Sequence, residues 1–187
     1  MVDINDNQLW DQLRAGNKSA LKDIYDLHYP YLVNYGKKIF QDVTIVEDNI
    51  HDLFVELWNR HKSLGPTNHI GKYLAASLRR RIISSLKKNQ KLQAVDSFDN
   101  IDFQAELSIE ELIIGSEHSE EMVEKIKNAF EALSARQKEV LYLRFYQNLD
   151  YEEIADVVGI RYQSLRNLIS TGIKKLRETM SVFLIFF

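Results

Sequence analysis

The sequence predicts an all-α fold: two small helical domains joined by an acidic linker. Three observations predict it. Apolar residues recur at a helical period over most of the 187 residues, helix-start and helix-stop signals bracket those runs, and a polar, acidic stretch interrupts them. The pattern divides the chain into a first domain over 1–92, a linker over 93–118, a second domain over 119–180 and a hydrophobic tail over 181–187.

In the first domain, Asn5 to Leu13 opens a helix with Leu9, Trp10 and Leu13 on one side, and Gly16 followed by Asn17 reads as a stop and a new cap. A second helix runs from Lys18 to about Tyr29 with Leu21, Ile24, Tyr25 and Leu27 facing a core. Pro30 ends it or begins the next segment, and Tyr31 to Phe40 continues helically through Leu32, Tyr35, Ile39 and Phe40. Val43 to Lys62 is a long helix with Val46, Ile50, Leu53, Phe54, Leu57 and Trp58 inward. Glu47, Asp48, Asp52, Glu56 and Asn59 lie largely on its other face, an acidic row that suits either docking on a basic partner helix or simple solvation.

Ser63 to Gly71 is a polar loop punctuated by Gly65 and Pro66. Lys72 to Lys91 then forms the main basic helix. At about 100° per residue, Arg80, Arg81, Lys87, Lys88 and Lys91 share one arc, with Leu78, Ile82, Ile83 and Leu86 opposite. Such a stripe either holds nucleic-acid backbone or is merely solvated. Asn68, His69 and Tyr73 sit at its head, where an unstacked base can be held.

Leu92 to Glu117 is acidic and lacks a sustained period, with one short helix expected around Ser108 to Ile114. The helical period returns from Ser119 through Met122, Ile126, Ala129, Phe130 and Leu133. Ser134 and Gln137 form a capping box before a helix carrying Val140, Leu141, Leu143, Phe145 and Tyr146.

Leu149 to Leu176 holds the most specific pattern. Asp150 and Glu153 form a second capping box, Ile154, Ala155 and Val158 make an apolar face, and Gly159 suits the left-handed turn that ends a helix. A further helix restarts near Tyr162, with Leu165, Ile169, Gly172 and Leu176 on one stripe and Tyr162, Gln163, Arg166, Asn167 and Ser170 facing away. Small Ala155, the Gly159 turn and a polar-faced second helix make a helix-turn-helix, against which stands an ordinary helical hairpin. Read as a DNA reader, Arg166 bonds guanine, Gln163 or Asn167 bonds adenine, and Tyr162, Lys174 and Lys175 hold phosphates.

Composition narrows the remaining classes. There are no cysteines, so disulfides and thiolate metal sites are excluded, which suits a reducing cytoplasm. The N-terminus lacks a signal-peptide pattern, and no stretch reaches the length of a membrane span. The five His are scattered, and His51 beside Asp48 and Asp52 lacks further ligands of defined spacing, so no metal, cofactor or catalysis is expected. Net charge is −3, but its distribution is uneven: residues 1–92 carry 14 basic and 10 acidic groups, 93–126 carry 1 and 10, and 127–187 carry 9 and 7. Two mildly basic blocks flank an acidic connector, so the chain alone should hold DNA weakly. The last seven residues, SVFLIFF, pack on the second domain or offer a docking patch for a regulator.

With these residues in view, the chain resembles a bacterial RNA polymerase sigma factor of the extracytoplasmic-function (ECF) group of the sigma-70 family. Leu13 to Asn17 with Ala20-Leu21 and Ile24-Tyr25 resembles the start of the family's first domain. Val46 to Asp48 leading to Asp52 to Phe54 and Leu57-Trp58 resembles the segment that grips the polymerase's largest subunit, which makes Glu47, Asp48, Asp52 and Glu56 polymerase-facing. Tyr73-Leu74, Arg79 to Ile83 and Leu86 to Lys88 resemble the segment that opens the minus-10 element, which implies DNA roles for Asn68, His69, Tyr73, Arg80, Arg81, Lys87 and Lys88. Leu133-Ser134 to Phe145 and the helix-turn-helix resemble the domain that reads the minus-35 element, with Arg161, Tyr162, Gln163, Arg166, Asn167, Lys174 and Lys175 as its contacts.

The resemblance implies core RNA polymerase, promoter DNA and an anti-sigma factor as partners, with no cofactor, metal or membrane span. It also implies a linker that passes through the polymerase near the RNA path. Arg161 stands where relatives often have a capping Ser or Thr, Leu168 where a polar residue is frequent, and Ser85 where an aromatic is common, so promoter preference is this chain's own. The rival readings are a stand-alone helix-turn-helix regulator, which would bind DNA without polymerase, and a metal hydrolase built around His51.

Overall fold

The structure, a computed structural model, describes residues 6–67, 69–89, 103 and 127–185, with side chains over 6–67, 69–86, 103 and 127–178. Its contacts divide the chain into two compact units, Met1–Val95 and Asp96–Phe187.

The first unit holds α1 (Asp6–Arg14), α2 (Lys18–Ile39), α3 (Val43–Asn59), a single 3-10 turn (His61–Ser63) and α4 (Ile70–Asn89). Asn17 caps α2 by accepting from the Ser19 N–H, and Asp42 caps α3 by accepting from Thr44 and Ile45. Each of α2, α3 and α4 packs on the other two. Ile24, Leu32 and Tyr35 of α2, Val46, Ile50 and Leu53 of α3, and Leu74, Leu78 and Ile82 of α4 are buried in the core these helices form. Gly36 lets α2 and α3 approach closely, since a Cβ there would collide with Cγ1 of Val46.

Helix α1 pins the connection into α4. Trp10 Nε1 donates to the Gly65 carbonyl at 2.8 Å, Arg14 Nε donates to the Leu64 carbonyl at 2.9 Å, and an Asp6 carboxylate oxygen accepts the Ile70 N–H at 3.1 Å. That last bond caps α4 from a residue 64 positions away, and α4 accordingly begins at Ile70 rather than Lys72.

Four expectations about this unit need correction. Pro30 does not end α2: it lies inside one continuous helix, on an exposed position, with buried Ile24 before it and Leu32 and Tyr35 after it holding the two halves in line. Leu27 does not face the core but is 62% exposed. The third helix stops at Asn59, where the chain tightens into the 3-10 turn and Trp58 stacks on His61 at 4.8 Å. Leu86 is half-buried rather than fully inward.

In the second unit, residues 127–131 are helical, followed by α5 (Ala135–Phe145), α6 (Tyr151–Val158) and α7 (Tyr162–Ile185). Both capping boxes form, with Ser134 and Asp150 each accepting from the third residue of its helix while Gln137 and Glu153 accept from the cap's N–H. Ala129, Phe130, Leu133, Val140, Leu141 and Leu143 join Ile154, Val157, Val158, Leu165 and Ile169 in the core. Phe103, which the sequence assigned to the linker, is buried with its ring 5.8 Å from that of Tyr142.

Phe145 and Tyr146, at the end of α5, face outward. Phe145 is 64% exposed, and Tyr146 lies on the surface stacked against Tyr142. Helix α7 runs on to Ile185, through most of the predicted tail. The side chains of 179–187 lie outside the described residues, as do the expected short helix at Ser108 to Ile114, Met122, Ile126 and Lys91.

Candidate nucleic-acid interface

Helices α6 and α7 meet at the predicted turn. Gly159 takes φ 72° and ψ 40°, its N–H and that of Ile160 both donate to the Ala155 carbonyl, and α7 restarts three residues later. Leu165, Ile169 and Gly172 face inward. A Cβ on Gly172 would lie 3.2 Å from Cδ1 of Leu141, and Gln137 Nε2 donates to the Thr171 hydroxyl at 3.0 Å, so α5 fixes the height and rotation of α7.

Rotation decides what α7 presents. Tyr162, Gln163, Arg166, Asn167, Ser170 and Lys174 are exposed along one face, and Arg161 is exposed just before it. The Tyr162 ring stands edge-on to Tyr151 at 6.2 Å, and the Arg144 guanidinium lies over the Tyr151 ring, 5.4 Å from its centroid. Lys175 is exposed but lies about half a turn round the helix from Arg166, so it does not join this face. Arg177 does: it lines one groove with Tyr151, Arg166, Ser170 and Lys174. Arg177, at i+11 from Arg166, shares that stripe of the helix, beyond the contacts expected from the sequence.

In the first unit, a groove between α3 and α4 brings Tyr73, Arg80 and Arg81 together with Leu64, Ser77, Arg60 and Glu56. Arg80 is exposed, with its Nε donating to the Ala76 carbonyl at 3.2 Å. Arg79, next in line, is 2% exposed and turns into the unit. Tyr73 is half-buried with its ring edge-on to Trp10 at 5.0 Å, so part of its surface supports the fold. His69 is exposed but is not among the groove's lining residues. Asn68 and the side chains of Lys87 and Lys88 lie outside the described residues. Arg60 and Ser77 belong to this groove and were missed, though Arg60 at i+4 from Glu56 and Ser77 at i+4 from Tyr73 were visible as helical neighbours.

The acidic set divides. Asp48, Asp52 and Glu56 are exposed along one row of α3, whereas Glu47 leans toward α2 and accepts the Tyr29 hydroxyl at 3.2 Å. Tyr29 stacks on Tyr25 at 4.9 Å, and Tyr25 in turn contacts His51 Nε2 through its hydroxyl at 3.2 Å. Burial, and then the Glu47 carboxylate, push both phenols above their ordinary range. His51 therefore belongs with these tyrosines, and among the described residues no three His, Cys, Asp or Glu converge on a metal position.

Comparison with known families matches residues 24–92 to Sigma-70 region 2 and residues 124–176 to Sigma-70, region 4. The chain belongs to the sigma-70 family. The ECF reading made from the sequence is borne out by these two regions in order, and the protein is a sigma factor of a family of non-enzymatic transcription initiation factors. A search of the curated proteins finds no match. Among solved structures, the sigma factor is similar to CnrH in complex with the cytosolic domain of CnrY, with 17% identity, TM-score 0.61, and 95% of this chain and 98% of that one covered. It is also similar to the sigma factor RpoE from Bartonella quintana in complex with the anti-sigma factor NepR, with 18% identity, TM-score 0.56, and 86% and 96% covered. At these identities the likeness shows a shared fold. No described helix of this sigma factor is long and apolar enough to cross a membrane.

Proposed function

We propose that this sigma factor binds core RNA polymerase, carries it to a two-part promoter and helps melt the minus-10 DNA, acting in the cytoplasm without chemistry of its own. The observation that carries the reading is the presence, on one chain, of a region 2 unit with a cationic groove and a region 4 unit with a polar-faced reading helix. Asp48, Asp52 and Glu56 face the polymerase, with Glu47 at the edge of that surface. Tyr73, Arg80 and Arg81 serve the minus-10 element, with Asn68, His69, Lys87 and Lys88 assigned alongside them by sequence. Arg161, Tyr162, Gln163, Arg166 and Asn167 read or flank the minus-35 element, and Lys174 holds phosphate, while Lys175, half a turn away, is set aside from these contacts. The domain limits at 92, 118 and 180 and the linker's path through the polymerase belong to the same proposal.

Charge supports the dependence on a partner. The excess of basic over acidic groups is 4 in residues 1–92 and 2 in 127–187, too few for tight duplex binding by counterion release. The polymerase supplies the rest of the affinity. The solved RpoE structure contains an anti-sigma factor, and a protein of that class is the regulator we assign here. Run-off transcription with core polymerase, followed by mapping of start sites, tests the whole reading. New start sites that depend on the chain support it; a chain that neither co-purifies with core polymerase nor changes where transcripts begin overturns it, and tight binding to DNA without polymerase supports a stand-alone regulator instead.

A further inference from the structure

Arg81 sits where the two faces of the region 2 unit meet. It reaches from α4 to α3, donating from Nη2 to Asp52 at 3.1 Å and from Nη1 to Glu56, while Arg60 donates to the other Glu56 oxygen at 3.1 Å. The side chain lines both grooves of this surface, one with Tyr73, Ser77 and Arg80 and the other with Asp48 and Asp52. Resting on the function proposed above, we infer that Asp52 and Glu56 hold Arg81 away from DNA in the free chain, and that a basic polymerase helix docking on those carboxylates releases it to a phosphate.

Three features make the exchange physically reasonable. The carboxylates are open to a partner, with Asp52 70% and Glu56 47% exposed at the side chain, while Arg81 is 27% exposed. Ion pairs of this exposure are weak because water screens them, so an incoming cation competes with them successfully. The Arg81 guanidinium is also incompletely satisfied where it lies, since its Nε is buried without a hydrogen-bond partner. Glu56 already divides its two oxygens between Arg60 and Arg81, so a third cation draws it away from one of them. The polymerase helix and Arg81 thus compete for the same carboxylate pair, and linkage makes the effect reciprocal: DNA that takes Arg81 also strengthens polymerase docking.

The test is a mutant cycle on the full-length chain without polymerase, read as anisotropy of a labelled single-stranded DNA oligonucleotide at low salt. Asp52→Asn with Glu56→Gln is expected to tighten binding about tenfold, the scale of one charge-assisted contact. Arg81→Gln is expected to cost several times more in that background than in the wild type. No gain from the carboxylate changes, or an equal cost of Arg81→Gln in both backgrounds, overturns the inference, because the second result assigns the gain to net charge alone. Circular dichroism checks folding, and if the double variant does not fold, Glu56→Gln alone must give an intermediate gain or the inference fails. Co-purification of the wild-type chain with core polymerase is run in parallel. Loss of that binding overturns the function proposed above, whereas intact binding with a flat cycle overturns only the release of Arg81.

Discussion

Arg81 and Asp52, 29 residues apart, meet at 3.1 Å across α3 and α4, so a cation assigned to DNA and a carboxylate assigned to the polymerase share one ion pair. The two surfaces of region 2 are electrically joined, and experiments on either must allow for the other. Asp48, on the same acidic row and one turn before Asp52, is therefore the better residue for testing docking. Asp48→Lys should weaken co-purification with core polymerase about tenfold, ~1.4 kcal/mol, by putting like charge against a basic partner. Unchanged co-purification would move the docking surface elsewhere.

Arg166 is exposed on the reading face of α7, close to the helix start where side chains reach base edges. Arg166→Ala should relax promoter choice at a single position of the minus-35 element by about 1–3 kcal/mol if it donates to guanine. Transcription from a set of promoters with single-base changes distinguishes this from a phosphate contact, which would weaken all of them equally.

Gly36 and Val46 set the spacing of α2 and α3. Gly36→Ala should destabilise the first unit by about 1–3 kcal/mol through overpacking, and Val46→Ala, harmful alone because it removes buried methyl groups, should recover part of the loss when combined with it. Urea unfolding of the two single variants and the double variant measures the coupling. Strict additivity would mean that the helices shift apart freely.

His28 lies against Gly71 at the start of α4, with Nε2 buried and unpartnered. Burial lowers its pKa below the ordinary value of 6.5, and the nearby Asp6 carboxylate opposes this only in part. Below pH about 6.5 the unfolded chain takes up the proton first, so stability falls as pH drops from there toward the folded-state pKa and is flat above that window. His28→Gln should flatten this part of the profile in thermal melts between pH 5 and 7, and an unaltered slope would locate the titration in another group.

Much of this arrangement was legible in the chain itself, because it depends on neighbours in sequence. The two capping boxes, the Asn17 cap, the Gly159 turn and the inward stripe of Leu165, Ile169 and Gly172 are all set by residues within a few turns of one another, where backbone hydrogen bonds and helical period leave few choices. The exposed face of α7 followed from the same period.

Tertiary packing decided what period alone leaves open. Asp6 starts α4 at Ile70 from across the unit, buried contacts on both sides carry α2 through Pro30, Arg79 is drawn inward while Arg80 stays out, and Glu47 turns to Tyr29 instead of joining the acidic row. Each outcome rests on packing against another part of the unit, and a helical wheel assigns a side chain its direction without saying what will be waiting there. The Arg81 pairing is the case with most consequence. Sequence supplied the cation and the carboxylates, but only the crossing of α3 and α4 brought their charges within bonding distance.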